Sequence, residues 1–328
     1  MRRRILGLVI AVVTVAGVAG CGSSSAGSDG SSSSEASGGS GTSQVKVGII
    51  PIVDVAPLYL GQKKGFFSSR GIELKMESAQ GGAAIIPGVV SGQFQFGFSN
   101  TTSLMLAQTQ GVPIKSVVNG VASTGDTSAD VSGVGVKKDS PIKSVKDLAG
   151  KTVAVNTLKN IGETTVRESV RQDGGDPSKV KFVELAFDQM PAALDAGQVD
   201  AAWMGEPALT IAKSQGARIV ASPFAETDPS LTLATYFTTT KLAQDDPDLV
   251  KRFTEAMTES LEYASAHPEE ARQTLTSYTK IDGDVLKDLT LPKWPTQVDM
   301  PSLEKLASLG EQDGIFGDRK PDLDALFS

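Results

Sequence analysis

Five short segments carry side chains that could hold a small polar molecule. Asp54, in Pro51–Ala56, places a carboxylate just ahead of a helical pattern that includes Tyr59. The acid could pair with an amine or merely cap the helix, and the phenol could flank a solute or fill the core. Gln80-Gly81-Gly82 opens the next helix, and Gly81 would let backbone approach a solute closely. Ser99-Asn100-Thr101-Thr102 joins a strand end to a helix start. Four consecutive small polar residues exceed what one cap needs, and free helix N–H groups there suit an anion or polar head group. Asn156–Thr165 offers Asn156 at a strand end and Gly162 and Thr164 at a helix mouth. Trp203-Met204-Gly205-Glu206-Pro207 sets an aromatic three residues ahead of an acid. Glu206 there could pair with a ligand amine or simply complement the helix dipole. Asp54 and Glu206 together favour an amino group, while the helix N-termini favour a negative or strongly polar group opposite it. An aminosulfonate such as taurine meets both demands, as does an aminopyrimidine with a hydroxymethyl arm. Nitrate or sulfate fits less well, because Lys159 is the one cation in these loops.

Composition removes much other chemistry. The 328 residues include one Cys and one His. A Cys-cluster metal site, an internal disulfide and a two-His zinc motif are therefore excluded. The formal charge of −7 gives no basic footprint for nucleic acid. No nucleophile elbow, P-loop or dinucleotide fingerprint follows a strand in the right setting. Asp282-Gly283-Asp284 is too short for an EF-hand, and His267, in Ala266-His267-Pro268, reads as a helix start. The expectation is a binding protein that is not an enzyme, with no cofactor and no metal.

The elements that must position these loops alternate β-branched runs with helical segments, which predicts an α/β fold with mainly parallel sheets. Strands are predicted at Val45–Pro51, Ile72–Ser78, Phe94–Ser99 and Ile114–Asn119, with helices at Pro57–Phe66, Ala83–Val90 and Thr101–Gln110. The second half repeats the first at an offset of 105 residues: Gly92-Gln93-Phe94 returns as Gly197-Gln198-Val199, and Ala107–Gly111 as Ala212–Gly216. Two copies imply two similar lobes, and ligands of open α/β sheets bind outside the strand carboxyl ends, here in the cleft between them. Asp130–Lys137 and Leu231–Thr239 read as the two crossovers. A helical tail after Thr239 should pack back on the first lobe. Lobe I would comprise residues 44–133 and 235–328, and lobe II residues 134–234.

The amino-terminal segment reads as address and tether. Met1–Arg4 is basic and Ile5–Gly20 apolar, which predicts an export signal over residues 1–20, by Sec or Tat. Val18-Ala19-Gly20-Cys21 resembles the bacterial lipobox, which implies lipidation of Cys21 and anchorage to the outer face of the bacterial cell membrane. The mature chain would carry 28 basic and 38 acidic side chains, a net −10. The Ser/Gly-rich residues 21–43 contain nothing to bury and are expected to form a flexible linker with a reach of roughly 25 Å.

The whole mature body resembles the SsuA/THI5-like (NMT1) substrate-binding proteins of ABC importers. The resemblance rests on Pro57–Phe67, Gly71-Ile72-Glu73-Leu74, Val90–Phe94, Val145–Val155 and Ala196–Ala202 taken in order. It implies a two-lobe Venus-flytrap (periplasmic-binding-protein-like type II) monomer. Such a protein closes on a sulfonate, taurine, nitrate or pyrimidine thiamine precursor and delivers it to a permease and its ATPase. Two other readings stay open: an exported sensor signalling to a membrane receptor, and a pyrimidine-synthase-like enzyme of the same fold. Synthases of that kind use a resident His and a Cys-rich motif, and this sequence lacks the second.

Overall fold

The computed structural model describes residues 42–328. The expected signal, Cys21 and nearly all of the expected linker lie outside the described residues.

Ten strands form two five-stranded sheets. In the first, β1 (Ser43–Ile49), β2 (Ile72–Ser78), β3 (Phe96–Asn100) and β4 (Ile114–Ala122) run parallel. In the second, β5 (Ser132–Val136) runs antiparallel to β8 (Ala201–Gly205) and β9 (Arg218–Ala221), and β6 (Thr152–Val155) and β7 (Lys181–Glu184) run parallel to β8. The last strand, β10 (Thr232–Thr239), returns to the first sheet and lies antiparallel between β3 and β4. The orders β2-β1-β3-β10-β4 and β7-β6-β8-β5-β9 are thus the same topology built twice. β3 maps onto β8 at the 105-residue offset without a gap. The two crossover runs supply the antiparallel members: β5 is already in the second sheet at Ser132, and β10 already in the first at Thr232.

Helices cover both sheets, so central strands are buried on both faces, as parallel sheets require. All five residues of β3 and all five of β5 are buried. On the first sheet lie α1 (Ala56–Lys64), α2 (Gly82–Val90) and α3 (Thr101–Thr109). Gly65 ends α1 at φ +84°, a left-handed position that favours glycine. On the second sheet lie α4 (Ile161–Gln172), α5 (Met190–Asp195) and α6 (Ala208–Ser214). The tail helix Pro247–Ala266 packs on the first lobe, where Phe253 stacks on Phe96 at 3.8 Å between ring centroids. It passes so close to α1 that a Cβ on Gly61 would fall 1.8 Å from the Ser260 hydroxyl. Among the described residues no helix is long and apolar enough to cross a membrane.

Candidate functional site

Strand ends from both sheets converge on one cavity between the lobes. The segment after β1 supplies Ile50, Ile52 and Asp54, and β3 ends in Asn100. From the second lobe come Asn156 after β6, Trp203 in β8, and Asn160 and Ile161 at the start of α4. Phe98, Phe187, Phe224 and Leu233 make most of the remaining wall apolar. Asp54 is the one titratable side chain lining it among the described residues.

Asp54 sits on the first-lobe side of this cavity, its carboxylate accepting from its own backbone N–H. Burial pushes its pKa from the ordinary 3.8 up to about 7, its own backbone N–H opposes the shift, and the Asp130 charge adds to it. Its backbone carbonyl accepts from the Trp294 indole at 3.3 Å, which fixes the loop from behind. Tyr236 and Tyr278 lie near enough for the Asp54 charge to push both phenol pKa values further up, beyond the large effect of their burial. A desolvated carboxylate facing apolar walls is stabilised by a cation or strong donor.

Trp203 faces it from β8. Its ring packs edge-to-face on Phe224 at 5.5 Å and tilted on Phe187 at 5.4 Å. A Cβ at Gly162 would stand 2.4 Å from the six-membered ring, so the start of α4 lies against that ring. The indole nitrogen is buried without a hydrogen-bond partner.

Amides bridge the two lobes around the cavity. Gln80 Nε2 donates to the Asn156 carbonyl at 2.6 Å, and Asn156 Nδ2 donates back to the Gln80 carbonyl at 3.2 Å. Asn100 caps α3 by accepting from the Ser103 amide at 2.9 Å, and the same oxygen accepts from the Ile161 amide at 3.3 Å across the cleft. Asn160 caps α4 through the Glu163 amide and donates to Asn156 Oδ1 at 2.6 Å. The Val53 amide donates to the Glu206 carbonyl at 3.2 Å. These bonds describe closed lobes.

Of the eleven expected contacts, the structure brings Asp54, Asn100, Asn156 and Trp203 onto the cavity wall. The other seven lie elsewhere, each for a local reason. Tyr59 stacks on Tyr278 at 4.0 Å behind the wall. The Ser99 hydroxyl donates to the Asn100 carbonyl and is covered by Gly82. Thr101 donates to the carbonyls of Thr232 and Leu233, and Thr164 to that of Asn160, so both hydroxyls serve backbone. Gly81 abuts Asn156 and Thr157 at the rim, and Gly162 backs Trp203. Glu206 is buried and accepts from the Thr210 amide, the Thr210 hydroxyl and the Thr290 amide. Burial raises its pKa against the pull of those donors. It therefore acts as a helix cap and interlobe strut, which corrects the expectation of a ligand contact.

The family model described as NMT1/THI5 like matches residues 52–271. The chain belongs to this family. Its relatives differ in what they carry. A taurine-binding periplasmic protein of Escherichia coli (strain K12) is 26% identical over 204 residues, 62% of this chain and 61% of that protein. The riboflavin-binding protein RibY of Chloroflexus aurantiacus is 26% identical over 276 residues, 81% of this chain and 75% of that protein. Among solved structures, the alkanesulfonate-binding protein SsuA from Xanthomonas axonopodis pv. citri, bound to MOPS, superposes with a TM-score of 0.75 at 17% identity. The match covers 87% of this chain and 98% of that one, and shows that the two-lobe α/β fold is shared.

Sequence reasoning passed over Asn160, Phe187 and Phe224. Phe187 and Phe224 each follow a second-sheet strand by three residues, β7 and β9 respectively, so strand-end position marked them. Their apolar character hid them from a search for polar contacts.

Proposed function

We propose that this chain is an extracytoplasmic solute-binding protein that closes its lobes on a small organic solute and delivers it to an ABC permease and its ATPase. Membership of a family whose relatives bind taurine and riboflavin supports that class. The observation that carries the reading is Asp54, a desolvated carboxylate in an interlobe cavity with no Lys or Arg on its wall. The solute is then an amine with an apolar or aromatic body. An aminopyrimidine satisfies this better than an aminosulfonate, whose anionic end meets amides alone, and nitrate least of all.

Binding rather than conversion is supported by the same wall. Acid–base catalysis needs groups that give and take protons at the reacting atoms, and this cavity offers one carboxylate. His267 lies in the tail, stacked on Tyr263 at 3.9 Å. Cys21 would serve as the lipid anchor of the exported chain.

The test is isothermal titration calorimetry against taurine, 4-amino-5-hydroxymethyl-2-methylpyrimidine, riboflavin, nitrate and bicarbonate. An amine-bearing compound should bind wild type and lose at least tenfold in affinity with Asp54→Asn. Tight binding of nitrate or bicarbonate, unchanged in that variant, would refute the assignment.

A further inference from the structure

Asp130 is a buried acid outside the cavity wall, 4% exposed, where the chain crosses from β4 in the first sheet to β5 in the second. Its carboxylate accepts from five donors. One oxygen takes the Thr124 amide at 3.0 Å, the Thr124 hydroxyl at 3.1 Å and the Val131 amide at 2.8 Å. The other takes the Ser123 hydroxyl at 2.8 Å and the Ala225 amide at 2.9 Å. Ala225 belongs to the second crossover, in the short helix Pro223–Thr227 between β9 and β10. Five donors on one group require an acceptor-only side chain with two oxygens, which a carboxylate supplies and an amide does not.

The second lobe is continuous with the first only through these two crossovers. They run side by side. The Ser123 amide donates to the Leu231 carbonyl at 3.0 Å, and the Ser222 hydroxyl to the Thr127 carbonyl at 2.7 Å. A Cβ on Gly125, whose φ is +74°, would fall 2.4 Å from the Pro229 carbonyl oxygen. The next residue along from Asp130 reaches the solute cavity: Val131 lines its wall, and the Val131 carbonyl accepts from the Glu206 amide at 3.0 Å.

We infer that Asp130 is a positioning residue for solute capture: its one carboxylate pins the two crossovers to each other and so fixes the pivot about which the lobes close. The inference rests on the solute-binding reading above and adds how the lobes are kept in register. Hinges are a few residues at element ends, and tying two of them to one side chain leaves the second lobe free to turn only as a body. The loops that meet at Gln80 and Asn156, and at Asn100 and Ile161, then return to the same places at each closure. The same charge reaches the site. Burial is the main cause of the raised Asp54 pKa, and the Asp130 charge adds to it. The phenols of Tyr236 on β10 and Tyr278 in the tail also face Asp54, with Tyr59 of α1 stacked on Tyr278. Lys213 of α6 and Glu226 of the short helix line a second cavity together with Asp130.

Two variants separate bond from charge. Asp130→Asn keeps the shape, turns one acceptor into a donor and removes the charge. Ser123→Ala deletes one bond to the same carboxylate and keeps the charge. Both are studied without solute. Spin labels at Val90→Cys and Val183→Cys in a Cys21→Ala chain should show a distribution of lobe separations that is broader than wild type in both variants, more so in Asp130→Asn. The Asp54 carboxyl ¹³C signal of aspartate-labelled protein, assigned with Asp54→Asn, should titrate at lower pH in Asp130→Asn and at the wild-type pH in Ser123→Ala. A merely structural role would leave that titration in place in both. An unchanged distribution in both variants, or an Asp54 titration unmoved in Asp130→Asn, overturns the inference. Should Asp130→Asn fail to fold, Ser123→Ala decides it on the distribution alone. These outcomes are distinct from the failure of taurine, 4-amino-5-hydroxymethyl-2-methylpyrimidine and riboflavin to bind wild type, which contradicts the solute-binding reading itself.

Discussion

Gln80 and Asn156 exchange hydrogen bonds across the cleft, side chain to backbone in both directions, at 2.6 and 3.2 Å. Neither bond involves a solute, so the pair favours the closed state independently of what is bound, without fixing it. Each such bond contributes about 0.5–1.5 kcal/mol net. Gln80→Ala should therefore shift the lobes toward opening and weaken solute affinity by roughly three- to tenfold, since closure then costs more. Small-angle scattering of the solute-free variant should show a larger radius of gyration than wild type. An unchanged radius would mean that the latch contributes nothing.

Asp54 sets a pH dependence of stability with a defined sign. Its folded pKa, about 7, lies above the ordinary 3.8. Between those values the folded chain holds a proton that the unfolded chain has released, so stability falls as pH rises through that window. The full effect is at most about 4 kcal/mol, reduced by the partial exposure of Asp54 to the cavity. Asp54→Asn should flatten the slope and raise the melting temperature of the solute-free protein at pH 8. A variant less stable than wild type at that pH would contradict the desolvated carboxylate.

Affinity for a cationic solute should run the opposite way. The ionised carboxylate is the binding form, so affinity should climb from pH 5 to about 7 and level off above, roughly tenfold per unit on the rising limb. Calorimetry with a permanently cationic amine across pH 5–8.5 reads this directly. A flat profile would remove Asp54 from the site.

Glu206 makes the contrasting case. It accepts from Thr210 twice and from Thr290, which ties β8 and the start of α6 to the tail. Glu206→Ala should cost about 1–3 kcal/mol of stability by stranding those donors. Its direct effect on solute contacts should be nil. A large loss of affinity in the closed complex with an unchanged melting temperature would reinstate it as a contact residue.

The contrast between Asp54 and Glu206 shows where sequence reading stops. Both are acids in cleft loops beyond a strand end, Asp54 after β1 and Glu206 after β8, and residue type alone treats them alike. Their difference lies in Thr210, one helical turn after Glu206, and in Thr290, brought there by the tail. The first of these is visible as an i,i+4 pair, the second only in three dimensions. The strands themselves were legible: Ile72–Ser78 is reproduced residue for residue, and the 105-residue offset carries β3 onto β8. Periodicity and repeat register are local or near-local properties. The stacking of Tyr59 on Tyr278 joins residues far apart in sequence, and no local pattern marks it.

Closure on a solute is the event on which transport depends, and the distance between the lobes measures it most directly. Cys21 is the single cysteine, so Val90→Cys on α2 and Val183→Cys on β7 in a Cys21→Ala chain place one spin label on each lobe at exposed positions. Double electron–electron resonance should resolve a broad, longer distance without solute. Adding the compound selected by calorimetry should collapse it to the shorter separation of the closed structure, and the Asp54→Asn chain should need at least tenfold more compound to do so. A distance that stays unchanged with the compound demonstrably bound would contradict capture between the lobes.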